Sequence, residues 1–231
     1  MTDIERRVVD RPVELRAAPE GGSGPGILSG YGAVFNSTSR DLGGWFEEID
    51  PGAAGEPVDG GGLDLTLHTR VIARAEHDSR LLLGTTDART LRLFVDEIGV
   101  RYEVDLPDTS AGRDVAVLAA RGDYAHSSFA FNLRTLDDVE WREDRDGRLI
   151  RRVMRMTIHD VAPVADPAYW GATTQLQRSL DEIRRSLRPA PVEPPAAGEQ
   201  EITARTNRLR SIEARIAAHA VTGTRPRRRG I

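Results

Sequence analysis

In the stretch GDYAHSSFAF, residues 122–131, a period of two places Ser127, Phe129 and Phe131 on one face of a strand and His126, Ser128 and Ala130 on the other. The first face reads as core. The second reads as a groove of small residues with room beside the Ser128 hydroxyl, which makes Ser128 the candidate nucleophile. A serine hydroxyl is a poor nucleophile near neutral pH because its proton must leave as the oxygen attacks; an imidazole within hydrogen-bond reach supplies the base. The candidates are His68, His77, His126, His159 and His219. His77 stands in ARAEHDSRLLLG, a polar patch before an apolar run, where a loop can hold the ring over a neighbouring strand. On spacing alone, an exposed loop histidine is the plainer account of it.

A third group must orient the imidazole and stabilise its positive charge during reaction. In RRVMRMTIHDV, Met154, Met156, Ile158 and Asp160 form one file and Val153, Arg155, Thr157 and His159 the other. Asp160 ends an apolar file, where an unpaired carboxylate is costly and a histidine partner offsets the cost. Asp160 is therefore preferred over His159, although a β-bulge would exchange the two. Zinc is the rival use of these histidines, but neither HExxH nor a comparably spaced cluster occurs, so no metal is expected. GxGxxG and Walker-type loops are also missing, and DGGGLD lacks a following lysine or helix, so no cofactor is expected.

The elements that must position these residues read as mostly β. ILSGYGAVFN is a strand with glycines where the backbone bends or is closely approached, and Leu63, Leu65 and Leu67 alternate with polar residues as a half-buried strand. Residues 91–95 and 100–106 form a hairpin turning near Gly99. PDTSAGRDVAVLAARGD is a short helix capped by Thr109 or Ser110, with Val115 and Leu118 inward and Gly122 as its stop. Further strands fall at SSFAFNL and at residues 149–164, separated by the polar turn REDRDGR. Leu176, Leu180, Ile183 and Leu187 then make one stripe of an amphipathic helix. RPAPVEPPAAGE breaks it, and beyond this linker Ile202, Leu209 and Ile216, with Ile212 between, mark a helix that either pairs with a partner or folds back on the body.

The domain organisation expected is a flexible segment at 1–26, a globular unit at 27–187, a Pro/Ala-rich linker at 188–199 and a helical basic tail at 200–231. A content of 39% hydrophobic and 29% charged residues over 231 residues suits one sizeable soluble domain with an appendage. Cysteine is absent, which removes disulfides and thiolate chemistry, and no apolar run approaches membrane-spanning length. All 32 basic residues are arginine. Residues 200–231 carry eight of them against Glu201 and Glu213, a net of +6 in a chain of −4, so the remainder carries −10. Such a tail either docks on an acidic partner or is simply solvated. Aromatic residues are few and not interleaved with the arginines, which argues against nucleic acid.

Six segments in order, GYGAVFN, FEEIDPGAA, AEHDSRLLLG, LRLFVDEIGVRYEVDLPDTSAGRD, RGDYAHSSFAF and HDVAPVADPAYWGAT, resemble the tailed-phage prohead proteases, the capsid maturation proteases. That family looks related to the herpesvirus assembly proteases. The resemblance runs from about residue 29 to residue 178. It implies that the histidine of the H-D motif, His77, is the base and that the serine before F-x-F, Ser128, is the nucleophile. In the last motif the family has an acidic residue, a small hydrophobic one and then a serine before P-A-Y; here Asp160 holds the acidic position and Ala162 replaces the serine. The related herpesvirus enzymes use a second histidine, so the third member stays between Asp160 and His159.

The resemblance further implies an α+β fold, mainly β with flanking helices, as a herpesvirus-protease-like β-barrel followed by a helical tail. The function implied is a serine endopeptidase working inside the immature phage head, or prohead, in the host bacterial cytoplasm. Its substrates would be scaffold or the scaffold-like part of the major capsid protein, and often itself; self-association is left open, and no membrane partner is expected. The alternative is a non-enzymatic scaffold or capsid-assembly protein of the same fold.

Overall fold

The computed structural model describes residues 4–18, 20–22, 24–165, 174–187 and 206–214, with side chains left out over 174–179. Among the described residues twelve strands fall in chain order: β1 (Glu5–Val9), β2 (Glu14–Arg16), β3 (Ile27–Val34), β4 (Phe46–Ile49), β5 (Ile72–Arg74), β6 (Leu82–Thr85), β7 (Leu91–Val95), β8 (Gly99–Asp105), β9 (His126–Asn132), β10 (Val139–Glu143), β11 (Leu149–Val153) and β12 (Thr157–Val164). Helix α1 (Ser110–Arg121) follows β8, α2 (Thr174–Leu187) follows β12, and α3 covers 206–214. The fold is mainly β with three helices among the described residues. None of these helices is long and apolar enough to cross a membrane.

The strands form three sheets, ordered β1-β9-β12-β5-β6, β2-β3-β8-β7 and β10-β11-β4. The expected barrel is not formed. The ladders do not close on themselves: β1 and β6 remain edges of the five-stranded sheet, and β4 pairs in parallel with β11 rather than joining either larger sheet.

The sheets meet through the faces that alternation assigns to the core. Phe129 and Phe131 stack with ring centroids 5.1 Å apart, and Ser127, on the same face, bonds the buried Tyr102 hydroxyl at 3.0 Å. Gly30 of β3 permits this contact, since a Cβ there would lie 2.4 Å from Ser127 Oγ. The β7–β8 hairpin and α1 form as their sequences predict. Thr109 accepts from Gly112 N–H at 3.3 Å, and Gly122 ends the helix at φ 83°.

Three expectations are corrected. Leu65–Leu67 is a 3-10 turn, not a strand: the Asp64 carboxylate accepts from Thr66 N–H at 2.9 Å, leaving Leu65 and Leu67 exposed. Residues 149–164 are two strands, because the N–H groups of Met154 and Arg155 turn to the Asp138 carbonyl and that of Met156 to the Ala53 carbonyl. The N-terminal segment is not flexible throughout, since β1 and β2 lie within it.

What orders β1 is a quartet of mostly buried charges. Glu5 and Arg7 of β1 meet Glu47 of β4 and Arg151 of β11: Arg7 lies 2.5 Å from Glu5 and 2.8 Å from Glu47, and Arg151 lies 2.6 Å from Glu5 and also bonds Glu47. The arginines stack on aromatic faces, with the Arg151 guanidinium 4.6 Å from the Trp45 ring centre and Arg7 5.6 Å from Phe131. Burial alone would raise the Glu5 carboxyl, but the two guanidiniums outweigh it and hold the group at about 2, against 4.5 unperturbed.

A second, smaller core joins Trp45 and Leu149 to Leu180 and Ile183 of α2 and Ile212 of α3, so the tail helix folds back on the body. Arg210 pairs with Asp137 at 3.2 Å. The Pro/Ala linker, Ile202, Ile216, His219 and the side chain of Leu176 lie outside the described residues.

Two outcomes follow for stability. Arg151→Met leaves two buried carboxylates facing Arg7 alone and costs about 3–5 kcal/mol in urea unfolding. Because the Glu5 value is depressed on folding, its contribution is present above pH 4.5 and is lost as pH falls toward about 2; Glu5→Gln removes that part of the acid limb of the stability curve.

Candidate active site

Three segments distant in sequence converge on one face of the five-stranded sheet. Ser128 sits in the middle of β9, flanked by β1 and β12. Its Oγ lies 2.6 Å from His77 Nε2, and His77 Nδ1 lies 2.5 Å from Asp160 Oδ1. The Nδ1 nitrogen faces a carboxylate and so carries the proton, which leaves Nε2 turned to the serine. All three side chains are mostly buried, Ser128 at 2% exposure.

Asp160 reaches this face through a bulge. Ile158 pairs with Phe131, yet Asp160, two residues on, pairs with Ala130, the register shifting between them. In an uninterrupted strand Ile158 and Asp160 would share a face. The extra residue, His159, turns Asp160 away from the phenylalanines and onto the side of Ser128 and Ala130. His159 itself bonds Asn132 Oδ1 at 2.5 Å, and burial lowers its basicity. It does not face His77.

His77 is held by a strained turn between β5 and β6. Glu76 and His77 both lie in the left-handed region, at φ 54° and 56°, which costs on the order of 1–3 kcal/mol each for residues other than glycine. The turn is tied at both ends. Asp78 N–H bonds the Ala75 carbonyl at 2.9 Å, Ala75 N–H bonds the Leu81 carbonyl at 3.1 Å, and Glu76 accepts from Ala165 N–H just beyond β12 at 2.8 Å. Glu76 thus anchors the turn to the strand that carries Asp160.

Two groups near the site escaped sequence reasoning. Arg74, the last residue of β5, lies with Nε 3.2 Å from Asp160 Oδ2, the oxygen that does not face His77. The Arg7 main-chain carbonyl accepts from Ser128 Oγ at 2.9 Å. Arg74 stands three residues before His77, inside the quoted stretch ARAEHDSRLLLG, but its type alone did not separate it from other arginines. No side-chain pattern marks a main-chain acceptor.

The other histidines do different work. His68 is buried, with Nε2 2.9 Å from the Ala54 carbonyl and Nδ1 accepting from Ile158 N–H at 3.0 Å; burial depresses its basicity, and it is a structural bridge. His126 lies 3.1 Å from Asp10 at the start of β9. No group of side chains suited to holding a metal ion occurs among the described residues.

A buried serine hydroxyl, an imidazole and a carboxylate in hydrogen-bonded series are the parts that acyl transfer requires. A family model described as caudovirus prohead serine protease matches residues 12–186. The chain belongs to that family, the phage capsid maturation proteases, which act within the prohead. No curated protein and no solved structure matched the chain.

The short Nδ1 contact should give a far-downfield proton resonance in one-dimensional NMR of the folded chain. Its disappearance in Asp160→Ala, with retention in His159→Gln, is the expected pattern; retention in both would mean the proton is held elsewhere.

Proposed function

We propose that this chain is a serine endopeptidase of phage head maturation in which Ser128 is the nucleophile, His77 the general base and acid, and Asp160 the group that orients His77. One observation carries this reading: in a member of this family, the Ser128, His77 and Asp160 side chains form an unbroken hydrogen-bonded series on one sheet face. In the reaction, Nε2 of His77 takes the Ser128 proton as Oγ adds to the scissile carbonyl carbon. The imidazolium so formed is stabilised by Asp160 and returns its proton to the leaving amine as the tetrahedral intermediate collapses to an acyl-enzyme. Water then adds to the acyl carbon with His77 again as base, releasing the new carboxylate and restoring Ser128. Arg74 and the Glu76 clamp hold Asp160 and His77 in place.

The substrates proposed are scaffold or the scaffold-like part of the major capsid protein, with cleavage of its own chain, inside the immature head in the host cytoplasm. The catalytic unit spans residues 27–187, followed by a linker at 188–199 and an appendage at 200–231.

Co-expression with the neighbouring capsid protein, read by intact mass, tests this reading. Cleavage present in the wild type and lost in Ser128→Ala supports it; heads that form with uncut chains in both samples favour a non-enzymatic assembly role. Asp160→Asn should lower the cleavage rate by about 10⁴-fold by fixing the wrong imidazole tautomer, whereas His159→Gln should leave cleavage in place.

A further inference from the structure

The next step rests on Ser128 being the nucleophile. β9 has β12 on one side and β1 on the other, and β1 is the edge strand of the sheet. Val8 is the register partner of Ser128, and the carbonyl oxygen of the Arg7–Val8 peptide lies 2.9 Å from Ser128 Oγ. An extended main chain paired to β9 beside Ser128 stands where a substrate strand would lie, with its carbonyl oxygen rather than its carbon turned to Oγ.

A hydroxyl has one proton, and here two acceptors compete for it. With the Nδ1 proton committed to Asp160, a neutral His77 needs the Ser128 proton at Nε2 in order to act as base. A proton given to the Arg7 carbonyl is turned away from the base, and the oxygen is not activated. β1 therefore both fills the place of a substrate strand and diverts the nucleophile.

We propose that the side of β9 now covered by β1 is the docking edge for an extended polypeptide substrate, bound by main-chain pairing as an added strand. Residues 5–9 are its resident occupant and leave before a substrate is cut. These residues precede the 12–186 stretch matched by the family model. The Glu5–Arg7–Glu47–Arg151 quartet is the clasp: two charges on β1 close onto two on the neighbouring sheet, so that an unoccupied edge is covered by the chain's own strand.

The absence of cysteine makes a reversible lock available. Arg6 and Ala130 are register partners, so R6C/A130C ties β1 to β9 by a single disulfide. The oxidised and reduced forms of this one variant are compared for cleavage of the capsid protein and for labelling of Ser128 by a fluorophosphonate, both read by intact mass. The expected result is cleavage at least about tenfold slower when oxidised, restored by reduction. Equal cleavage by the two forms overturns the proposal. A folded reduced form that neither cuts nor labels indicts the serine protease reading instead, and labelling without a difference in cleavage indicts only the docking edge.

Should the cysteine pair disturb folding, E5Q/R7Q decides. It removes one charge of each sign from the clasp and leaves Glu47 and Arg151 paired with each other. Faster labelling of Ser128 than in the wild type supports a displaceable β1; unchanged or slower labelling counts against it.

Discussion

The bulge at His159 is the constraint on which the site depends. A buried carboxylate costs several kcal/mol unless charge and hydrogen bonds answer it, and Asp160 is almost fully buried in the centre of a sheet. On an unbroken strand it would point with Ile158 toward Phe129 and Phe131, where nothing could answer it. One extra residue turns it over, and there it meets His77 on one oxygen and Arg74 on the other. The strained turn at Glu76–His77 has a use only because the bulge has put a carboxylate where that turn can reach.

A second set of buried charges works at longer range. Glu5, Arg7, Glu47 and Arg151 join the first strand to the small sheet of β4 and β11, and through the β1–β9 ladder they fix what lies along the strand that carries Ser128. Such a cluster yields little net stability beyond what packed apolar groups would give, but it is specific: removing any member leaves a buried charge unanswered. Specificity of that kind suits a strand that seats in one register beside Ser128. The same region also receives α2 and α3 through Trp45 and Leu149, so the first strand and these two helices meet one part of the fold.

Alternation along the strands settled much of the architecture in advance. The β9 faces, the β7–β8 hairpin, the capped helix α1 and the stripe of α2 follow from local periodicity and capping, which depend only on near neighbours in the chain. Where the reading failed, a distant group had taken over: the Asp138 and Ala53 carbonyls split residues 149–164 into two strands, and charges from β4 and β11 ordered a strand in a segment expected to be flexible. The Asp64 cap, a local feature, outcompeted a leucine alternation that resembled a strand. Asp160 was preferred over His159 on the ground of its apolar file, whereas the structure turns it to His77 by leaving that file.

By itself, the sequence determined which residues could do chemistry and on which face of its own strand Ser128 would lie, because side-chain type and a period of two are properties of the chain alone. Only the tertiary structure decided that His77 rather than another histidine meets Ser128, that a bulge delivers Asp160 to it, and that the Arg7 carbonyl lies against the same hydroxyl. Each of these is a contact between segments tens of residues apart. Strand order, register and a one-residue bulge set such contacts, and those are fixed by the packing of the whole fold rather than by any local run of residues.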